Sequence, residues 1–357
     1  MVVTGPTASG KSRLAIALAG QVDGEIVSMD AFAVYRSMDI GTAKPSPADR
    51  DAVRHHLIDV VDPSEEFSVA RYLTLAHAAV HDIESRGKTP IIAGGTPMYL
   101  RAVMRGFDPG PPADPRFRAA AEADLKTYGI EALRKRLMQV DPLSAHKIDP
   151  HDSRRMIRAL EVSYLTGQPI SHRQRQHDRP VRLSKSLSER RTGDERRTGD
   201  EASTDSEPGS SFGERLRQSE RLRQSERLRQ SEGFGHFPAI HLAWPRAELH
   251  GRINDRTDQI FEAGLVDEVR RLSRGGGLSS TAAAAVGYRE VTELLDQHPE
   301  PTERQMDEVR QQVAAHTRQL ARRQETWFRS LQELTSLPAD RPIGDLVDDV
   351  IRLAAAG

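Results

Sequence analysis

The chain has no cysteine, which excludes disulfides, thiolate zinc sites and cysteine nucleophiles. Aromatic residues are scarce at 5%, and no apolar run approaches the length that spans a membrane. No membrane anchor is therefore expected. Nor is a signal peptide, because the N-terminus leads straight into a polar loop; the first strand before Gly5 is short, and the true start is expected upstream. An excess of one charge is missing too. The formal net charge is −1 over 357 residues, so nucleic-acid binding would have to come from local basic patches. A soluble cytoplasmic protein with two domains, or one domain with insertions, is expected.

What is present begins with Gly5-Pro6-Thr7-Ala8-Ser9-Gly10-Lys11-Ser12, which fits the phosphate-loop pattern of Gly, four free positions, then Gly-Lys-Ser/Thr. Val2-Val3 precede it, and Leu14, Ile16, Ala17 and Leu18 follow at helical spacing, the strand–loop–helix context that the pattern needs. Gly5 and Gly10 let the backbone turn its N–H groups inward, the new helix presents its positive end, and Lys11 adds a full charge. Such a cradle recognises a diphosphate whatever organic group it carries.

Farther along, Glu25 to Ser28 reads as a strand, and Asp30 lies just past its C-terminal end, where open α/β sheets bind ligands. His55 to Pro63 reads as another short strand. His55 and His56 point opposite ways on it and suit packing or hydrogen bonding, since no third ligand follows at metal-binding spacing. Phe67 to about Ser85 has the periodicity of an amphipathic helix. The buried strand Thr89 to Ala93 runs into Gly94-Gly95-Thr96; a nucleoside triphosphatase usually has an acidic residue there, so ATP hydrolysis is disfavoured.

Proline-rich 109–115 marks a domain boundary, followed by mostly helical sequence from Asp114 to about Gly167. Asp152 is the expected N-cap of its last helix and Gly167 its stop. Ile157, Leu160 and Tyr164 share one face, with Arg154, Arg155 and Arg158 beside it as a basic edge suited to phosphates. Residues 184–235 repeat Arg-Arg-Thr-Gly-Asp-Glu twice and Glu-Arg-Leu-Arg-Gln-Ser three times, with eleven basic and eleven acidic residues. Too little apolar surface is available there to offset ordering, so a disordered loop is expected. Beyond it come a strand at Ile240 to Trp244, a helix opening at Arg252 to Arg256, a turn at Ala285 to Glu290, and a long helix through His316 to Arg329. On that helix Arg318, Arg322 and Arg329 fall within about 40° of one another, with Val313, Leu320 and Trp327 opposite. One acid, Glu325, accompanies these arginines, which favours a polyanion partner.

Taken together, the phosphate loop, Asp30 to Tyr35, Met38 to Pro45, His56 to Asp59, Gly94-Gly95-Thr96 with Tyr99, Arg155 with Arg158 to Glu161, Gly287 to Glu290, and Thr317-Arg318 to Trp327 resemble, in order, the tRNA dimethylallyltransferase (tRNA isopentenyltransferase) family. The resemblance implies an α/β fold: a P-loop NTPase-like parallel-sheet core (1–110 and 236–357, with basic C-terminal helices), interrupted by a helical domain at 111–183 for the tRNA anticodon stem-loop and by the low-complexity loop at 184–235. It implies transfer of a dimethylallyl group from dimethylallyl diphosphate to N6 of adenosine 37, with Mg²⁺ near Ser12 and a monomeric protein.

By the same resemblance Asp30 is the general base, Thr96 and Arg256 serve the departing diphosphate, and Gly5, Pro6, Thr7, Ala8, Ser9, Gly10, Lys11 and Ser12 bind it. The implied tRNA contacts are Asp30, Ala31, Phe32, Ala33, Thr96, Arg118, Arg154, Arg155, Met156, Ile157, Arg158, Ala284, Ala285, Val286, Gly287, Tyr288, Arg289, Thr317, Arg318, Arg322, Arg323 and Gln324. Ala31 and Ala33 stand where the family often has Ser and Gln, Pro97-Met98 where Gly-Leu is common, and Arg154 where Gln is frequent. Three other readings compete. A small-molecule P-loop kinase leaves the arginine helices without a task, an RNA-binding ATPase does not explain Asp30 with Thr96 and Arg256, and an isopentenyltransferase acting on free adenine nucleotides does not need the basic helices.

Overall fold

In the computed structural model, which describes residues 1–174 and 238–356, Val2-Val3 become β1 (Val2–Thr4), fully buried within a parallel sheet. The expected disordered loop at 184–235 lies outside the described residues. The described chain forms two compact units, one from 1–104 with 238–356 and one from 105–174.

The first unit continues with α1 (Lys11–Gln21), β2 (Gly24–Ser28), α2 (Pro47–Ala52), β3 (His55–His56), α3 (Val69–Ser85), β4 (Thr89–Gly94) and α4 (Pro97–Arg105). It resumes with β5 (Ala239–Ala243), α9 (Arg246–Glu262), α10 (Leu265–Arg274), a 3-10 turn (Ala282–Ala284), α11 (Tyr288–Gln297), α12 (Glu303–Arg329), β6 (Leu334–Pro338) and α13 (Ile343–Ala356). Among the described residues the sheet has six strands, all parallel, in the order β3-β2-β4-β1-β5-β6. Both faces are covered, which is why the inner strands are almost continuously buried instead of alternating. Val3, Ile26, Ile91, Ile240 and Leu242 pack with Leu14 and Leu18 of α1 and Val347 and Val350 of α13.

The chain runs from β1 outward past β4 to β2 and β3, then places β5 and β6 on the other side. The C-terminal end of β1 is therefore a topological switch point, where open sheets form their ligand crevice. The phosphate loop occupies it. At the end of the neighbouring β4, Gly94 is required sterically: a Cβ there would lie 2.1 Å from the Met29 carbonyl oxygen. That close approach brings the chain after β2 against the chain after β4.

The expected strand at His55 to Pro63 shrinks to two residues, because Leu57 and Asp59 take positive φ of 62° and 58°. Both histidines are hydrogen-bonded, His56 to Glu25 at 2.7 Å and His55 to the Val53 carbonyl at 2.7 Å. Among the described residues no group of three or more His, Cys, Asp or Glu is arranged to hold a metal. No described helix is long and apolar enough to cross a membrane.

The second unit contains α5 (Pro115–Val140), α6 (Pro142–Lys147), α7 (Ser153–Thr166) and α8 (Ile170–Gln174). The last helix of the expected helical stretch is α7, with the Asp152 carboxylate accepting from Arg155 N–H at 3.0 Å and Gly167 left-handed at φ 68°. Leu133, Leu137, Met156, Ile157 and Leu160 form its core. Tyr164 departs from the expected buried face: it is 72% exposed and stacks on Phe117 at 5.2 Å.

Candidate active site

The phosphate loop turns into α1 at Gly10, whose φ of 88° would strain any side chain. Its outward carbonyls are held by distant side chains. Trp244 Nε1 donates to Ser9 O at 2.9 Å, and Arg252 Nε to Ala8 O at 2.8 Å, with the guanidinium stacked 4.3 Å over the Trp244 ring. Ser9 N–H closes the turn onto Pro6 O at 3.2 Å. Among the described residues this leaves the N–H groups of Ala8, Gly10, Lys11 and Ser12 without a protein acceptor, at the positive end of a helix that attracts anions. Lys11 Nζ rests on Pro6 O at 3.3 Å. Burial, with Arg256 close by, lowers its ammonium to about 8, and the Asp30 carboxylate opposes the shift.

Asp30 follows β2 and caps its own turn, Oδ1 accepting from Phe32 N–H at 2.9 Å and Ala33 N–H at 3.2 Å. Its other oxygen is left for a ligand. Thr96, at the start of the chain after β4, accepts from Ala31 N–H at 3.0 Å, so its hydroxyl proton is free to donate. Arg256 comes from α9 and donates to Thr42 O at 3.3 Å. Burial lowers its pKa, with Asp30 pulling the other way. Lys11, Asp30, Thr96 and Arg256 all line one cavity of about 310 Å³. Much of its remaining wall is apolar, with Phe32, Ile253, Ile260, Val286, Val313 and Leu320 beside Thr7, Thr42, Thr257, Thr317 and Gln324. Charged groups and hydrocarbon lining the same cavity suit a short lipid carrying an anionic head.

A smaller recess of about 70 Å³ adjoins Lys11 and is lined by Ser12, Ser28 and Asp30. The serine hydroxyls and one carboxylate form a sparse oxygen donor set. That suits Mg²⁺, which keeps most of its waters and is otherwise held by phosphate oxygens.

Gln324 of α12, one of the expected tRNA contacts, lines the cavity and braces the phosphate loop. It is 7% exposed, and both ends of its amide are engaged: Oε1 accepts from Thr7 N–H at 2.9 Å and Nε2 donates to Gly95 O at 2.6 Å. It joins the phosphate loop to the chain after β4, and it turns the Thr7 amide away from the phosphate. Gln324→Glu keeps an acceptor for Thr7 but removes the donor for Gly95. The stranded carbonyl is expected to cost about 1–3 kcal/mol, read as a lowered melting temperature together with weaker pyrophosphate binding.

The other expected contacts divide. Ala31, Phe32, Ala285, Val286 and Thr317 line the 310 Å³ cavity. Arg322 and Arg323 are exposed, and Arg318 donates to Asn254 Oδ1 at 2.6 Å. Ala33 and Tyr288 are buried, with the Tyr288 hydroxyl on Glu268 at 2.5 Å; Gly287 caps α11, Ala284 is exposed, and Arg289 donates to Glu290 at 2.5 Å. In the second unit Arg118 reaches the buried Glu161 at 2.9 and 3.0 Å, and Arg158 reaches it at 2.5 Å. Arg154 and Arg155 are exposed, Arg155 pairing with Asp152 at 3.3 Å. Met156 and Ile157 turn into that unit's core. The side chains of Met156, Ile157, Ala33 and Tyr288 are buried in packing.

Sequence reasoning missed Trp244, Arg252 and Glu268 as supports of the site. Glu268 is buried and accepts from the N–H groups of Asp39, Ile40 and Gly41 at 3.0–3.3 Å, fixing the loop that carries Thr42. A signal existed only for Glu268, an acid at a position in α10 that the apolar periodicity turns inward.

The geometry agrees with comparisons to known proteins. The profile of the IPP transferase family matches residues 33–197 and 211–331. A tRNA dimethylallyltransferase from Rhodopirellula baltica is 46% identical over 94% of this chain and 87% of its own length. Another from Halorhodospira halophila is 38% identical over 100% of this chain and 98% of its own. The crystal structure of the full-length tRNA isopentenylpyrophosphate transferase from Bacillus halodurans superposes with a TM-score of 0.61 at 31% identity, covering 99% of this chain and 96% of that one. A eukaryotic dimethylallyltransferase captured acting on tRNA shares the fold, with a TM-score of 0.67 at 22% identity over 95% of this chain and 73% of that one. With its parallel-sheet core, its phosphate loop at the switch point and this extent of similarity, the chain belongs to the IPP transferase family.

Proposed function

We propose that the protein transfers a dimethylallyl group from dimethylallyl diphosphate to N6 of adenosine 37 in the anticodon stem-loop of tRNA, releasing pyrophosphate. The observation that carries this reading is the mixed lining of one cavity: Lys11, Arg256, Asp30 and Thr96 together with apolar Phe32, Ile253, Ile260, Val286, Val313 and Leu320, next to a phosphate loop with free amides. The phosphate loop binds the diphosphate and the apolar lining takes the five-carbon chain, which excludes water from the reacting carbon.

The exocyclic amine of adenine is a weak nucleophile because its lone pair is delocalised into the ring. As N6 forms a bond to C1 of the dimethylallyl group, the C1–O bond breaks and its electron pair leaves on pyrophosphate. The free oxygen of Asp30 accepts the N6 proton. Charge growing on the leaving oxygen is met by Lys11, the loop amides, Arg256 and the Thr96 hydroxyl, donors held in place before reaction. Mg²⁺, which the Ser12 hydroxyl would hold, would supply charge neutralisation on the diphosphate. A monomeric, cytoplasmic protein belongs to the same proposal.

Mass spectrometry of unmodified tRNA incubated with the protein, Mg²⁺ and dimethylallyl diphosphate tests the reading. The expected result is one added five-carbon unit on the adenosine and release of pyrophosphate, with no ATP split in a parallel reaction. ATP turnover with tRNA mass unchanged sinks it. On the RNA side, Arg318→Gln with Arg322→Gln is expected to flatten the dependence of log tRNA affinity on log salt by about 0.7–0.9 for each phosphate left unneutralised. An unchanged slope returns these arginines to an ordinary solvated face.

A further inference from the structure

The active-site cavity lies on one side of α12. On another flank, about a third of a turn around the helix, is a separate cavity of about 570 Å³ that shares no lining residue with the first. From its residues we infer that this second cavity is an oxyanion site built for a phosphate group.

Its walls bring Arg318, Arg322 and Arg329 of α12 together with Arg246 at the start of α9, against the single carboxylate of Glu325. Among the described residues, none of these four arginines is ion-paired. Arg318 holds the Asn254 side-chain amide oxygen, Arg329 Nε holds the Glu325 backbone carbonyl, and Arg246 and Arg322 have no acceptor for their guanidinium groups. Elsewhere the protein neutralises clustered arginine directly, as where Glu161 takes both Arg118 and Arg158. Three of the four are exposed and Arg318 is half-buried; cations gathered around one recess against a single carboxylate attract an anion from outside.

The second, independent observation is His241. It is only 7% exposed and belongs to the lining of this cavity. Parallel pairing of β5 with β6 sets it in register with Ser336. Its Nδ1 meets the Ser336 hydroxyl at 3.2 Å, the Phe328 ring lies 5.1 Å away, and Nε2 has no partner. Burial, with Arg329 nearby, lowers the imidazole to about 4, so it is neutral at physiological pH. A neutral imidazole carries one N–H. In the tautomer in which the Ser336 hydroxyl donates to Nδ1, that proton sits on Nε2, which has no partner among the described residues. A phosphate group supplies what these residues lack: several acceptor oxygens with the fork geometry of guanidinium, and more than one negative charge. The phosphate can come from a free small anion, such as inorganic phosphate, or from an RNA backbone.

The test uses the full chain with ¹⁵N-labelled histidine, observed through its imidazole resonances. Inorganic phosphate is titrated at constant ionic strength, with chloride as the exchange anion. The expected result is a saturable shift of the His241 resonances, with its pKa rising because an anion beside it favours the protonated ring. Arg246→Gln with Arg329→Gln is expected to remove that response, while exposed His146 in the other unit is unaffected. Arg246→Gln alone changes an exposed side chain in the first turn of α9 and keeps the test valid if the pair disturbs folding.

A tRNA arm separates the sources. If the ligand is RNA phosphate, the double variant lowers the salt slope of tRNA affinity by about 0.7–0.9 per phosphate left unneutralised. If it is free phosphate, the slope is unchanged while the phosphate response disappears. The inference is overturned if phosphate moves His241 no more than chloride and the tRNA slope stays put, or if the variants respond like the parent. Because the phosphate arm involves no prenyl transfer, this inference and the proposed reaction fail independently.

Discussion

Asp30→Asn is expected to lower single-turnover prenyl transfer by about 10²- to 10⁴-fold, the range supplied by a positioned general base, with tRNA affinity unchanged. Asparagine is the informative replacement here. Its side-chain oxygen can still accept from Phe32 and Ala33 N–H, the two bonds that hold the turn after β2. Alanine would remove the base and the cap together, at about 1 kcal/mol of stability per bond, and so confound the result. Quenched-flow measurement with saturating tRNA and dimethylallyl diphosphate reads the chemical step, and filter binding reads the affinity. If the asparagine variant turns over at the parental rate, Asp30 is not the proton acceptor.

The second large effect belongs to Lys11. Replacing it with methionine removes a buried charge from the head of the diphosphate site, and such losses cost about 2–5 kcal/mol, or roughly 30- to 5,000-fold in affinity. The pH dependence carries the sharper signature. Burial and Arg256 hold the Lys11 ammonium at about 8 against the pull of Asp30, and its protonated form is the one that binds an anion. Below pH 8 the charge is already present and affinity is flat in this respect. Above pH 8 binding must first restore the proton, so affinity falls, approaching about tenfold per pH unit for one linked proton. Pyrophosphate titration by calorimetry across this range should show the fall in the parent and its absence in Lys11→Met. Ionisation of the ligand itself is common to both proteins and cancels in the comparison.

What could be read from the sequence was whatever depends on a few neighbouring residues. The phosphate loop, the placement of Asp30 past a strand, and α7 between Asp152 and Gly167 are local signals of turn chemistry and capping. Where the signal was non-local, reading failed. The strand at His55 stops early because Leu57 and Asp59 adopt left-handed backbone, which neither residue type announces. Strand β6 and helix α13 went unnoticed; Leu334 to Pro338 is a short, half-polar edge strand that is defined by its pairing with β5. The bracing of the phosphate loop by Gln324, Trp244 and Arg252 spans 317, 235 and 244 positions, beyond any local pattern. The arginine faces were visible, but their partners were not: Arg118 and Arg158 converge on Glu161, whereas Arg246 and Arg329 form no ion pair among the described residues.

The position of β1 also has a consequence for how the chain comes to be folded. This strand leaves the ribosome before either of its neighbours in the finished sheet, β4 on one edge and β5 on the other. The residue that fastens its loop to the chain after β4 comes 229 positions after Gly95. During synthesis β1 therefore waits with one hydrogen-bonding edge open until Ala239–Ala243 has been made, a slow, long-range closure that leaves nascent chains open to pairing with one another. Every residue between β4 and β5 lengthens that wait, so the insertion's length bears on the yield of folded enzyme, whatever else it does.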